Sequence, residues 1–161
     1  MGSEDAYYRS KMRVYENMPE NGVFLYNTDD EKIKEYTSLL PVPCRQVTYS
    51  LEDKNADFFA DESFVYENGK ALFPVNSIKV VGRHNVQNVL VAVSAAKQLG
   101  MSTDIIQAAV EEFRGVEHRI EFVREVKGVK YYNDSIASSP TRTIAGLKAF
   151  NQKVHLIAGG Y

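Results

Sequence analysis

A chain of 161 residues, 44% of them apolar and with a formal charge of −2, is sized for one domain or one domain plus part of another, and it can bury a core. Its pI near 5.9 and its scattered Lys and Arg exclude the nonspecific pull on nucleic acid or anionic membrane that a basic face exerts. No apolar run is long enough to cross a bilayer, no signal-peptide core opens the chain, and the single Cys44 has no intramolecular disulfide partner. A reducing, cytoplasmic setting is therefore expected, with Cys44 as a structural residue.

Ser3 to Asn17 reads as a helix capped by Ser3, with Tyr7, Lys11, Val14 and Tyr15 on one face. Gly22 to Tyr26 reads as a buried strand, ended by Asn27-Thr28-Asp29-Asp30. Glu31 to Leu40 is a second helix, stopped by Pro41 and Pro43, and Gln46 to Tyr49 a strand. From Ala56 to Val81 the period moves toward two, and Asn68-Gly69 marks a tight hairpin between Phe64–Tyr66 and Ala71–Phe73. Asn85 to Leu99 is the clearest helix, with a stripe of Val86, Val89, Leu90, Val93 and Ala96 and a terminating Gly100. The next helix spans about Ser102 to Phe113, with Ile105, Ile106, Ala109, Val110 and Phe113 expected to face inward. After Gly115 the pattern restarts: strands Ile120–Val126 and Val129–Tyr132, a loop to Pro140, a helix Thr141–Phe150, and a strand Val154–Ile157 that opens into Gly159-Gly160. This suggests an α/β fold with a domain boundary near Gly115, dividing residues 1–115 from the start of a Rossmann-like unit over 116–161.

Three polar segments at element ends could carry chemistry. Gly82-Arg83-His84-Asn85-Val86-Gln87-Asn88 opens the strongest helix, where free amides and the positive dipole end suit a phosphate or nucleotide. Asn85 and Asn88 can point to one side; the bland reading makes Asn85 a helix cap and His84 a loop residue. Phe113-Arg114-Gly115-Val116-Glu117-His118-Arg119 falls at the junction, where Arg119 could meet phosphate or ribose or simply face solvent. Asn133-Asp134-Ser135-Ile136-Ala137-Ser138 follows a strand. Asp134 could accept from ribose hydroxyls and the serines could hold a carboxylate, although such residues also fill ordinary loops.

Taken together, Gly-x-His-Asn-x-x-Asn, Phe-x-Gly-x-x-His-Arg and Asn-Asp-Ser with Ser138 beyond, in this order and spacing, resemble the Mur ligases, and the Asn-Asp-Ser loop resembles their D-glutamate-adding branch. The Tyr-x-x-x-Lys-x-Arg pattern at Tyr7, Lys11 and Arg13 and the Asn27-Thr28-Asp29-Asp30 turn fit the same family. The resemblance covers essentially the whole chain, from the middle of the ATP-binding domain into the start of the carboxyl-terminal one. It implies a chain from an ATP-dependent ligase of peptidoglycan precursor synthesis. ATP phosphorylates the carboxylate of UDP-N-acetylmuramoyl-L-alanine, and the amine of D-glutamate attacks the acyl phosphate. Magnesium accompanies ATP, and the parent acts as a monomer.

Residue by residue, the resemblance makes Lys11 the carbamylated lysine that helps bind magnesium, and His84 and Asn85 the pair near nucleotide and metal. Asn88 becomes the adenine contact, Arg119 the junction arginine and Asp134 the ribose ligand. Ser138, with Ser135 nearby, stands beside the D-glutamate carboxylate. Ile136 departs from the family, where many members have lysine. No Gly-x-x-x-x-Gly-Lys-[Ser/Thr] loop occurs, since the one Gly-Lys, Gly69-Lys70, precedes Ala71 in the hairpin. A fragment inactive alone is expected. The alternatives are another Mur ligase or folylpolyglutamate synthetase branch, or a noncatalytic α/β module binding a nucleotide or a protein.

Overall fold

A computed structural model describes residues 4–39 and 42–159. The expected Ser3 cap, the helix end at Leu40 and Pro41, and Gly160 with Tyr161 lie outside the described residues.

The core is a five-stranded mixed sheet in the order β1 (Val23–Asn27), β2 (Arg45–Ser50), β3 (Phe58–Ala60), β4 (Phe64–Glu67) and β5 (Lys70–Pro74). β1, β2 and β3 are parallel, and β3, β4 and β5 antiparallel. Strand alternation sends Val23 and Leu25 to one side and Phe24 and Tyr26 to the other. The first side, with Val47, Phe58, Val65 and Phe73, packs under α3 (Arg83–Gln98) and α4 (Thr103–Glu112). The second is covered near β1 by α1 (Glu4–Met12), the tight turn Arg13–Tyr15 and α2 (Glu31–Leu39), with Met12, Tyr15, Tyr36 and Cys44 buried there. Cys44 is buried there as a free thiol. Leu90, fully buried on α3, contributes about 1.5–3 kcal/mol by leaving water.

Polar residues fix the strand ends. Asp30 caps α2, accepting from Lys32 N–H at 3.0 Å and Ile33 N–H at 3.1 Å. Asp29 accepts from Leu51 N–H at 2.9 Å and from the Ser50 hydroxyl, tying the ends of β1 and β2 together. The β4–β5 turn takes positive φ at Asn68 and Gly69, as that dipeptide predicts. α3 ends at Gly100, whose N–H bonds Lys97 O at 3.0 Å while Met101 N–H reaches back to Ala96 O at 3.1 Å.

Beyond Gly115 stand a separate antiparallel hairpin, β6 (Glu121–Val126) with β7 (Val129–Asn133), and α5 (Pro140–Lys148). Three expectations change. On α1 the inward residues are Met12, with Tyr15 just after it, while Tyr7 and Val14 are exposed. The helix tightens at Arg13, so the face set by a regular 3.6 period slips there. On α4 only Ile106 is buried and Val110 packs partly; Ile105, Ala109 and Phe113 face out, because α4 touches the core along a narrow line. Finally, residues 154–157 form no strand, and Ile157 is 94% exposed. A strand exists only through a neighbour's ladder, and among the described residues 154–157 pair with neither β6 nor β7.

Candidate functional site

The start of α3 is shaped by Gly82 at φ +102. Its carbonyl accepts from Asn85 N–H at 2.9 Å and Val86 N–H at 3.2 Å, so Gly82, and not Asn85, is the cap residue. The Asn85 carboxamide instead donates to Val81 O at 2.7 Å, and Asn88 Nδ2 donates to Asn85 Oδ1 at 3.3 Å. The two asparagines share a face, as their spacing predicts. Arg83 turns the other way, to Leu51 O at 3.1 Å and Glu52 Oε1 at 2.6 Å.

Gly82 also permits a close approach. A Cβ there would lie 2.8 Å from Ala149 Cβ, just past α5, and 2.9 Å from His84 Cε1. His84 is half-buried, and that burial, followed by the nearby Arg119 charge, pushes its pKa below the ordinary imidazole value; the Asp134 charge opposes them. Thus His84 feels both Arg119 and Asp134. Asp134 Oδ1 accepts from Ile120 N–H at 3.1 Å, and Oδ2 rests on Gly146 of α5.

Between α3, α4 and the β6–β7 hairpin lies a cavity of about 740 Å3. Asn85, Asn88 and Val89 line one wall, Arg119 the junction, and Phe122 and Tyr132 the hairpin side. Apolar and aromatic walls with two asparagine amides, the Arg114 and Arg119 guanidiniums and the Lys79 and Lys130 side chains suit a flat heteroaromatic base carrying a polar, anionic sugar phosphate. ATP therefore fits the residues present.

The other candidates lie elsewhere. Lys11 is exposed on the α1 side of the sheet, its ammonium 5.4 Å from the Tyr7 ring centroid. Ser135 and Ser138 are exposed and outside the cavity lining; their N–H groups bond Asn133 Oδ1 at 3.1 Å and Ile136 O at 2.9 Å. Among the described residues no group of three or more His, Cys, Asp or Glu could hold a metal ion. Magnesium asks for several oxygen ligands, of which Lys11 would supply one only as a carbamate. Sequence reasoning passed over Glu121 and Gly146, and gave Asn133 a place in the motif but no role of its own; all three shape the junction. The pairing of Glu121 with Asn133 across the hairpin was a usable signal.

The Mur ligase middle domain family matches residues 1–96, more than half of the chain. The chain belongs to the Mur ligase family. Among curated Mur ligases, the UDP-N-acetylmuramoylalanine--D-glutamate ligase of Clostridium tetani is 40% identical over 161 residues, 98% of this chain and 34% of that protein. The same enzyme of Clostridium kluyveri is 40% identical over 158 residues, with the same shares covered. The chain thus spans about a third of the length of the curated relatives it matches. Among solved structures, MurF from Acinetobacter baumannii aligns with a TM-score of 0.66 at 22% identity, over 93% of this chain and 34% of that one. A UDP-N-acetylmuramoyl-L-alanyl-D-glutamate--2,6-diaminopimelate ligase aligns with a TM-score of 0.65 at 25% identity, over 92% and 32%. The Mur ligase fold of this segment accounts for the mixed sheet with α3 and α4 on one face.

Proposed function

We propose that this chain is the nucleotide-binding part of a ligase that adds D-glutamate to UDP-N-acetylmuramoyl-L-alanine. The observation that carries this reading is the junction cavity, with Asn85, Asn88 and Arg119 on its walls and with Arg119 and Asp134 both near enough to His84 to bias its protonation. The D-glutamate branch is supported by the curated relatives and by Asn133-Asp134-Ser135. Residues 1–115 then form part of the ATP-binding domain and 116–161 the start of the next, with Gly115 at φ +106 as the boundary.

In the proposed reaction a substrate carboxylate oxygen attacks the γ-phosphorus of ATP and ADP leaves. The amine of D-glutamate then attacks the acyl carbon, and phosphate departs with the amine proton lost. This chain's residues hold the adenosine end: Asn88 and Asn85 face the base, Asp134 the ribose hydroxyls, and Arg119 the polyphosphate. Ser135 and Ser138 reach the D-glutamate carboxylate from the exposed loop. Magnesium supplies charge neutralisation when bound with ATP, and a carbamate on Lys11 would give it an oxygen ligand. The enzyme works in the cytoplasm as a monomer, as the family resemblance implies.

No phosphate-loop motif occurs in these residues, so the isolated chain should bind ADP and ATP with nearly equal, weak affinity and release no phosphate. Calorimetry with adenosine, ADP and ATP tests this, together with Arg119→Ala. Tight magnesium-dependent ATP binding by the 161-residue chain, or ADP binding indifferent to Arg119→Ala, would overturn the reading. In the intact parent, ADP release dependent on D-glutamate and not on 2,6-diaminopimelate settles the branch.

A further inference from the structure

The Arg119 turn is held in a conformation its residues do not favour. His118 has φ +65 and Ile120 φ +47, both left-handed, and for a β-branched isoleucine this is a genuine outlier. Such a geometry persists only where the surroundings over-determine it. Here the constraints converge on one carboxylate. Glu121 Oε2 accepts from His118 N–H at 2.8 Å and from Asn133 Nδ2 at 3.3 Å. Asn133 Nδ2 also lies 2.8 Å from His118 Nδ1, and Asn133 Oδ1 accepts from Ser135 N–H at 3.1 Å. His118 O accepts from Ile136 N–H at 3.2 Å. Glu121 and Asn133 are also register partners across the β6–β7 hairpin, so the two side chains stand at the same rung.

These contacts join the turn carrying Arg119 to the loop carrying Asp134. We propose that Glu121 is a positioning residue of the nucleotide site, a latch that keeps Arg119 turned to the cavity and Asp134 under the Ile120 amide. Glu121 is absent from the cavity lining, and its effect runs entirely through His118 and Asn133. The inference rests on the nucleotide reading of the cavity. A turn freed of the latch relaxes toward right-handed backbone at His118 and Ile120, which swings the Arg119 side chain away from the ligand.

The test uses the intact ligase that contains this segment. Glu121→Ala should raise the KM for ATP roughly tenfold, as expected for loss of preorganised contacts, while kcat and the KM for D-glutamate change less than about twofold. Glu121→Gln keeps an oxygen acceptor for His118 N–H and should restore most of the ATP KM. Asn133→Ala removes the other half of the latch, and combined with Glu121→Ala it should add little to either single change. An unchanged ATP KM in Glu121→Ala, or a Gln variant as impaired as Ala, overturns the proposal. If Glu121→Ala does not fold, Asn133→Ala decides by the same KM-against-kcat split. Failure of the unaltered ligase to use ATP would instead sink the nucleotide reading, so the two failures are distinct.

Discussion

Asp134 and Gly146 are in such close contact that any side chain at position 146 collides with the carboxylate: a Cβ there would sit 2.6 Å from Asp134 Oδ2. In a helix interior Ala normally outranks Gly by about 1 kcal/mol. At Gly146 that gain is outweighed, because Asp134 is also pinned by the Ile120 amide at 3.1 Å and cannot simply rotate away. Gly146→Ala should destabilise the junction by about 1–3 kcal/mol, the usual cost of overpacking. It should also weaken ADP binding. Urea unfolding measures the first and calorimetry the second; a more stable Gly146→Ala protein would refute the contact.

Gly69 gives the opposite case. A Cβ there would meet nothing within 4 Å, but φ is +74, so the cost of a side chain is entirely backbone. Gly69→Ala should lose about 1 kcal/mol and Gly69→Asn less, since Asn tolerates the left-handed region. The ranking Gly, Asn, Ala in thermal melting midpoint checks it.

His84 makes stability depend on pH. Burial first, then Arg119, holds its pKa below the ordinary imidazole value of 6.5, against the pull of Asp134. The fold therefore prefers the neutral ring, and the unfolded chain binds more protons between the folded pKa and 6.5. The stability His84 contributes is fully present above pH 6.5 and is withdrawn as pH falls through the folded value. Proton NMR of the imidazole in chelator-treated protein should show an upward shift in Arg119→Ala and a further downward one in Asp134→Asn. Either shift with the reverse sign would contradict the arrangement.

Much of this was readable in the residues. Asn68-Gly69 and Lys127-Gly128 both turn as hairpins, because the positive φ they need is local. The asparagine pair on α3 emerged from helical spacing alone. The α1 face did not, since the helix tightens at Arg13 and Met12 and Tyr15 turn inward beside Tyr36 and Phe24. Asp134's seat on Gly146 and the Glu121 latch are long-range contacts, and periodicity is blind to them. The strand expected over 154–157 failed on the same ground: its residues suit a strand, but pairing is a property of neighbours.

The α3 and α4 faces give the sharpest test of which apolar residues form the core. Leu90 is fully buried on α3, among Val47, Phe58, Val65 and Phe73 on the sheet. Leu90→Ala leaves a cavity in a layer fixed on both sides and should cost about 2–5 kcal/mol. Ile105 on α4 is 57% exposed, although its spacing matches the inward stripe. Ile105→Ala should therefore change stability by about 0.5 kcal/mol or less. Denaturant unfolding of the two variants separates the alternatives. A loss at Ile105 comparable to that at Leu90 would mean that α4 turns its Ile105 face into the core, contrary to the packing seen around Ile106.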